Sequence, residues 1–180
     1  MVDLSPTDEQ LIDAFRSRGD RGSLDQLVNR HLPRVRNLLW QMVLNDALAD
    51  DLTQDTFMRA IRHLHTFNGQ SAFSSWLHRI AVNVTYSHWE KSKQREVVSD
   101  PELHASRAAR EESYRQLEIS DEIEVALSRL PPPLRAAIVL VSIQQMDVGE
   151  VAEMEGCKAS TIYWRLHEAR RQLRHQLELM

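Results

Sequence analysis

The sequence predicts an all-α protein of two small helical domains joined by a flexible linker, and three observations carry that prediction. The 180-residue chain holds only five glycines. Leucine, alanine, arginine and glutamate are abundant while β-branched runs are short, which favours helix over strand. Apolar residues recur at helical spacing on both sides of a polar, acidic stretch near the middle. With 42% hydrophobic and 27% charged residues the composition is that of an ordinary globular protein.

The first helix is expected in "TDEQLIDAFRSRG", where Thr7 and Gln10 form a capping-box pattern, Leu11, Ala14 and Phe15 share a face, and Gly19 ends the run. A second capping-box pattern, Ser23 with Gln26, is read as the start of a long helix whose apolar positions are Leu24, Leu27, Val28, Val35, Leu38, Leu39 and Met42. Pro33 is expected to kink it. After "ND", a third helix places Leu48, Leu52, Phe57, Ile61 and Leu64 near one stripe, opposite Asp50, Asp51, Gln54 and Asp55. Acids near a helix N-terminus can simply suit the macrodipole, so a docking face there is an expectation only. Asn68 and Gly69 form a turn signal, and a helix over about 72–91 follows. It interleaves Phe73, Trp76, Tyr86 and Trp89 with Arg79, Asn83, His88, Lys91, Lys93 and Arg95, a mixture suited to stacking unpaired bases while cations follow phosphates. Phe73, Trp76 and Ile80 also fit a core stripe, which is the preferred reading for Trp76.

Residues 96–118 are acidic, polar and poor in large apolar side chains, and read as the linker, with a transient helix over about 105–117. Beyond it come a helix ending at Leu130, a proline stop, and helices over about 132–144, 148–155 and 161–177. The last two are separated by "GCKAS", and Val148, Val151, Ala152, Cys157, Ile162 and Leu166 would pack them at a steep angle as a helix-turn-helix. Its second helix alternates Tyr163, Trp164, His167, Arg170, Arg171 and Arg174 with Ile162, Leu166, Ala169 and Leu173, giving exposed groups for phosphates and base edges.

Charge divides along the same lines. Net charge runs −4 over 1–58, +5 over 59–95, −6 over 96–124, −2 over 125–157 and +3 over 158–180, which sum to the −4 of the whole chain. An acidic protein can therefore carry basic nucleic-acid faces. One cysteine, Cys157, excludes an intramolecular disulfide and reads as a buried turn residue. The polar, acidic "MVDLSPTDEQ" is unlike a secretory signal, no apolar run is long enough to span a bilayer, and the expected location is the cytoplasm. There is no glycine-rich phosphate loop, zinc spacing or paired nucleophile and base, so no enzyme activity and no cofactor are expected. The eight histidines raise a metal-responsive protein as an alternative, but the His63-x-His65 spacing diverges on a helix and no metal site is assigned.

"DDLTQDTFMRAIRHLHTFNGQSAFSSWLHRIAVNVTYSHWEKSKQR" resembles region 2 of bacterial sigma factors, and "LPPPLRAAIVLVSIQQMDVGEVAEMEGCKASTIYWRLHEARRQL" resembles their region 4. With only a linker between them, the resemblance is to the extracytoplasmic-function group of the sigma-70 family. It implies residues 1–95 as region 2, 96–118 as linker and 119–180 as region 4. It further implies a promoter-recognition subunit that binds the clamp helices and flap of core RNA polymerase, engages promoter DNA and is held inactive by an anti-sigma factor, which can be membrane-anchored, with no membrane insertion of its own.

By the same resemblance, Asp51, Gln54, Asp55 and Phe57 would dock on the polymerase. Asn68, Gln70, Ser71, Phe73, Arg79, Asn83, Tyr86 and His88 would capture the minus-10 element. Lys158, Ser160, Thr161, Tyr163, Trp164, Arg165, His167, Glu168 and Arg171 would read the minus-35 duplex. The chain departs from the family pattern in having Lys158 where a capping serine is frequent, Tyr163 and Trp164 where small or basic residues are usual, and Glu168 where a base is common. A glutamate there accepts from cytosine N4 or repels phosphate. The competing reading is a polymerase-independent regulator that binds duplex DNA through its last helices.

Overall fold

The computed structural model describes residues 5–96 and 121–178. The 97–118 part of the expected linker, including the 105–117 helix, lies outside the described residues, as do the side chains of Lys93 and Arg95. Among the described residues the secondary structure is wholly helical. The elements are α1 (Asp8–Arg18), α2 (Arg21–Val43), α3 (Asp46–His63), a 3-10 turn (Leu64–Thr66), α4 (Phe73–Glu96), α5 (Asp121–Ser128), α6 (Pro132–Ala137), α7 (Val148–Met154) and α8 (Ala159–Glu178).

Local chemistry explains most boundaries. The Thr7 hydroxyl accepts from the Gln10 amide and the Gln10 side chain accepts from the Thr7 amide, so the expected capping box is complete. Gly19 closes α1 at φ +65, a left-handed conformation that a residue without a Cβ adopts freely. The second capping-box reading fails. Asp20 caps α2 by accepting from the Gly22 amide at 3.0 Å, and Ser23 lies inside the helix and donates to Asp20 at 2.6 Å. A carboxylate placed three residues earlier takes the orphan donors first. α2 continues through Pro33 over 23 residues.

The expected 132–144 helix is also revised. α6 passes after Ala137 into a π-helical stretch, Ile138–Ile143, whose wider turn is marked by Gln144 N–H donating to the Val139 carbonyl at 2.8 Å. In α8 the Thr161 amide bonds to the Lys158 carbonyl at 2.9 Å, closing the first turn. Lys158 directly precedes the helix.

Packing follows the apolar stripes. α2 lies against α1, α3 and α4, and α8 against α5, α6 and α7. Leu38, Leu39, Met42 and Leu77 are wholly buried in the first bundle, Leu127, Leu140 and Ile162 in the second. Ile61 departs from its expected core position: at 39% exposure it sits at the bundle's edge, because the stripe of α3 turns inward through Ala60 and Leu64 instead. The halves touch where α2 meets α6 and the π-helical stretch, and where α4 meets α7. There the fully buried Gln41 accepts from the Gln144 amide nitrogen at 2.7 Å.

α4 also carries a half-buried titratable group. Desolvation, with lesser contributions from the charges of His31 and Arg34, holds His78 down at about 4, from an ordinary 6.5. The folded state therefore binds fewer protons than the unfolded chain between those values. The stabilising contribution is complete above pH 6.5 and is lost as pH falls toward 4. Urea melts at pH 7.5 and 5 are expected to differ by roughly 2 kcal/mol from this residue alone, a difference that His78→Gln removes.

Candidate polymerase and nucleic-acid interfaces

Three surfaces gather the residues singled out from the sequence. On α3, Asp51 and Gln54 point to solvent. Their acidic neighbours are committed within the protein. Asp50 accepts from Arg36 Nε at 2.6 Å, Asp46 from Arg36 Nη2 at 3.2 Å, and Asp55 takes both arms of Arg59 at 2.9 and 3.0 Å. Phe57 is 8% exposed and packs in the core beside Leu24, Leu27, Val28 and Leu64, which corrects its assignment to the docking face. Its position, two residues past Asp55, turns the ring inward on a 3.6-residue helix. The exposed apolar groups are instead Met58, at 57% exposure, and Ile61. With Asp51 and Gln54 they form one stripe at i, i+3, i+7 and i+10, which the sequence reading missed because it followed the core period and took Ile61 as part of it.

The 68–72 loop is held at both ends. Phe67 and Phe73 are buried and meet edge to face at 5.5 Å between ring centres, with Trp76 5.6 Å from Phe67. Phe73 is thus an anchor of the loop and is not free to stack on a base, a second correction; the aromatic cluster gains more by burial than one exposed ring would. Between the anchors, Asn68 Oδ1 accepts from the Gln70 amide at 3.1 Å and Gly69 turns at φ +74, leaving Asn68, Gln70 and Ser71 exposed.

α1 braces both ends. Arg16 donates to the Leu64 carbonyl and, at 2.6 Å, to the Phe67 carbonyl. Asp8 pairs with His31 at 2.8 Å, and the His31 ring meets Phe73 at 5.2 Å. These partners lie 48 and 51 residues apart for Arg16, so no local pattern announces them. Arg16→Ala is expected to cost about 1–3 kcal/mol, the usual worth of hydrogen bonds from a charged donor. It should also speed amide exchange through 68–72, read by hydrogen-exchange mass spectrometry.

Along α4, Arg79, Asn83 and Tyr86 share a stripe, while His88 falls on the other side and lies 3.3 Å from the Ser92 hydroxyl. The stripe faces α7. Arg79 meets Glu153 at 3.5 Å, both well exposed, a pair of small energetic weight. Tyr86 stacks edge to face on Trp89 at 5.1 Å, and its hydroxyl is buried beside Glu155. Burial first, then the nearby Glu155 charge, raises the Tyr86 hydroxyl far above its ordinary value, so it stays protonated. The Glu155 carboxyl is itself pushed up by desolvation and pulled back by Arg165, with which it is paired. Only 2% of the Glu155 side chain is accessible.

On α8 the helix-turn-helix is as expected. Val151, Ala152, Ile162, Leu166 and Ala169 are buried between its helices, and the turn closes through Cys157 N–H donating to the Ala152 carbonyl at 2.9 Å. Lys158 and Ser160 are exposed and Thr161 is half-buried. Tyr163 and Trp164 are each 62% exposed. His167, Arg170, Arg171 and Arg174 are exposed beyond them. Arg165 points the other way, into its pair with Glu155. Glu168 takes two bonds from Arg171, at 2.6 and 2.9 Å, and one from Gln172 at 2.7 Å. These bonds hold its carboxyl down at about 2. The glutamate that stands where a base is usual therefore carries its own counter-ion. Among the described residues no group of three or more His, Cys, Asp or Glu side chains could hold a metal ion.

The chain matches the family Sigma-70 region 2 over residues 27–95 and the family Sigma-70, region 4 over residues 120–173. It is 32% identical over 176 residues to the ECF RNA polymerase sigma factor SigE of Mycolicibacterium smegmatis, covering 96% of this chain and 68% of that protein. It is 30% identical to the RNA polymerase sigma-H factor of Pseudomonas aeruginosa, covering 91% and 90%. Among solved structures, the sigma factor RpoE of Bartonella quintana, crystallised with the anti-sigma factor NepR, superposes with a TM-score of 0.73 at 28% identity, covering 86% of this chain and 96% of that one.

Proposed function

The chain belongs to the extracytoplasmic-function RNA polymerase sigma factors, which are transcription initiation factors, and from that premise we propose how its surfaces divide the work. It binds core RNA polymerase and directs promoter recognition and initiation. The exposed α3 stripe, Asp51, Gln54, Met58 and Ile61, docks on the clamp helices. Its two uncommitted polar residues supply hydrogen bonds and its two apolar residues supply the buried area that makes a helix-to-helix contact stable. Residues 1–95 act as region 2, 119–180 as region 4, and 96–118 as the connection between them.

The braced loop offers Asn68, Gln70 and Ser71 to an extruded base of the minus-10 element. Extrusion costs a few kcal/mol, and a loop already held at both ends recovers more of it than a floppy one because its ordering entropy is already spent. Arg79, Asn83 and Tyr86 extend the same surface along α4. Because the Tyr86 hydroxyl is buried beside Glu155, its use on DNA requires the two halves to separate, whereas Arg79 has only a weak, exposed pair with Glu153 to give up. α8 enters the major groove of the minus-35 element, with Arg170 and Arg174 on phosphates. The observation that carries this reading is the outward face of α8, basic and aromatic on a chain of net negative charge.

An anti-sigma factor that covers these faces is the proposed regulator; the Bartonella quintana relative is seen with one. The work is done in the cytoplasm, where polymerase and promoter are. No helix among the described residues is long and apolar enough to cross a membrane. The test is gel filtration of the full chain with core polymerase and a promoter fragment. Co-elution of all three is the expected result, and tight promoter binding by the chain alone, with no polymerase bound, favours the independent regulator.

A further inference from the structure

α8 presents two large aromatic side chains to solvent at the end of the helix that leads into the major groove. Tyr163 and Trp164 are consecutive and each 62% exposed, while Ile162, at 0%, and Leu166, at 4%, fix the opposite face in the core. Helical spacing puts Trp164 on the side directly away from that core, on one stripe with His167 and Arg171. Tyr163 falls beside it, in line with Arg170 and Arg174. An exposed aromatic pair is costly in water and calls for a partner that covers it.

The surrounding charge says which partner. Lys158, His167, Arg170 and Arg174 are exposed around the pair, Glu168 on the same helix is paired with Arg171, and Glu155 is paired with Arg165. That environment suits phosphate, so the cover is nucleic acid. In the major groove the one apolar group at a base edge is the C5 methyl of thymine, and aromatic or small apolar side chains contact it there. The first two turns of a recognition helix are the part that reaches base edges, and Tyr163 and Trp164 occupy the first two turns of α8.

We propose that Tyr163 and Trp164 read thymine by its methyl group in the minus-35 duplex, making part of this factor's promoter choice apolar. The inference rests on the assignment of α8 to the minus-35 element. Cations farther along the helix, Arg170 and Arg174, then set affinity and salt dependence, while the aromatic pair sets sequence preference.

The experiment uses the full chain with core polymerase. The strongest promoter selected from random fragments by the holoenzyme is remade with each minus-35 thymine, on either strand, replaced by uracil. Uracil keeps every hydrogen-bonding group and lacks only the methyl. At one or more positions the replacement is expected to weaken promoter binding about fourfold, the size set by one buried methyl group. Trp164→Ala or Tyr163→Ala should abolish that difference, binding thymine and uracil templates alike. Equal binding by the unaltered chain overturns the proposal, as does a uracil penalty that persists in both variants or a selected element without an A·T pair. If Trp164→Ala leaves promoter preference intact and weakens polymerase binding instead, the pair is a protein-docking patch and the proposal fails. A holoenzyme that initiates at no promoter fails the parent assignment, and is told apart from these outcomes by the absence of any selected fragment.

Discussion

Arg165→Ala is expected to destabilise the C-terminal bundle by about 3–5 kcal/mol at pH 7.5, because it strands the Glu155 carboxylate without its counter-charge. That side chain is 2% accessible, and its ion pair with Arg165 is the buried one of the α8 surface. The neutral Tyr86 hydroxyl beside Glu155 brings no counter-charge to compensate. The double variant Glu155→Gln with Arg165→Ala should recover most of the loss, since it removes the charge rather than leaving it unpaired. Urea denaturation of the three proteins checks the cycle.

The sign of the pH dependence is fixed by the direction of the Glu155 shift. Its carboxyl is raised in the folded state by desolvation, and removing Arg165 takes away an interaction that lowers it. A raised folded value means that the folded state holds the extra proton, so the penalty is absent below the ordinary carboxylate value and grows as pH rises through the folded one. The Arg165→Ala deficit should therefore shrink between pH 7.5 and 4.5. The same cycle separates packing from DNA contact. If Arg165 acted on DNA, the double variant would regain stability without regaining promoter binding; regained binding assigns it to the fold.

The second large effect belongs to α3. Asp51→Ala with Gln54→Ala is expected to reduce holoenzyme formation by at least about tenfold, the loss of two interfacial hydrogen-bonding groups at about 1 kcal/mol or more each. Both side chains are exposed and neither takes part in a hydrogen bond or ion pair among the described residues, so thermal stability should stay within about 0.5 kcal/mol of the parent. Asp55→Ala should do less. Its charge is already balanced by Arg59, and its removal frees that arginine. A fluorescence titration of labelled core polymerase gives the dissociation constants. Equal affinities for parent and double variant would move the docking surface off α3.

The helices were legible in the sequence because their signals are local. Thr7 with Gln10 and Gly19 bound α1 through contacts no more than four residues long, and the Ile162, Leu166 and Ala169 stripe of α8 is visible as period 3.6. Where two local signals competed, the reading failed: Asp20 and Ser23 both suit a cap, and only geometry shows the carboxylate winning. The site residues were legible in part. Among the positions expected to meet partners, Asp51, Gln70 and Trp164 are exposed, whereas Phe57 and Phe73 are drawn into the core. An aromatic ring serves packing and stacking equally well, so its residue type cannot decide between them.

What no local pattern could show are the long-range contacts. Arg16 on the Leu64 and Phe67 carbonyls, Asp8 on His31, and Glu155 between Tyr86 and Arg165 each join residues far apart in the chain or in different halves of it. They place the braced loop and the covered stripe of α4, and so decide which residues are free to meet DNA.

The most direct test of the account is run-off transcription with purified core polymerase on a library of genomic fragments, with and without the full chain, followed by sequencing of the transcripts. Discrete start sites that require the protein, share paired minus-35 and minus-10 elements, and fade with Asp51→Ala and Gln54→Ala are the predicted result. No new start sites, under conditions where the protein still binds duplex DNA by itself, would contradict it.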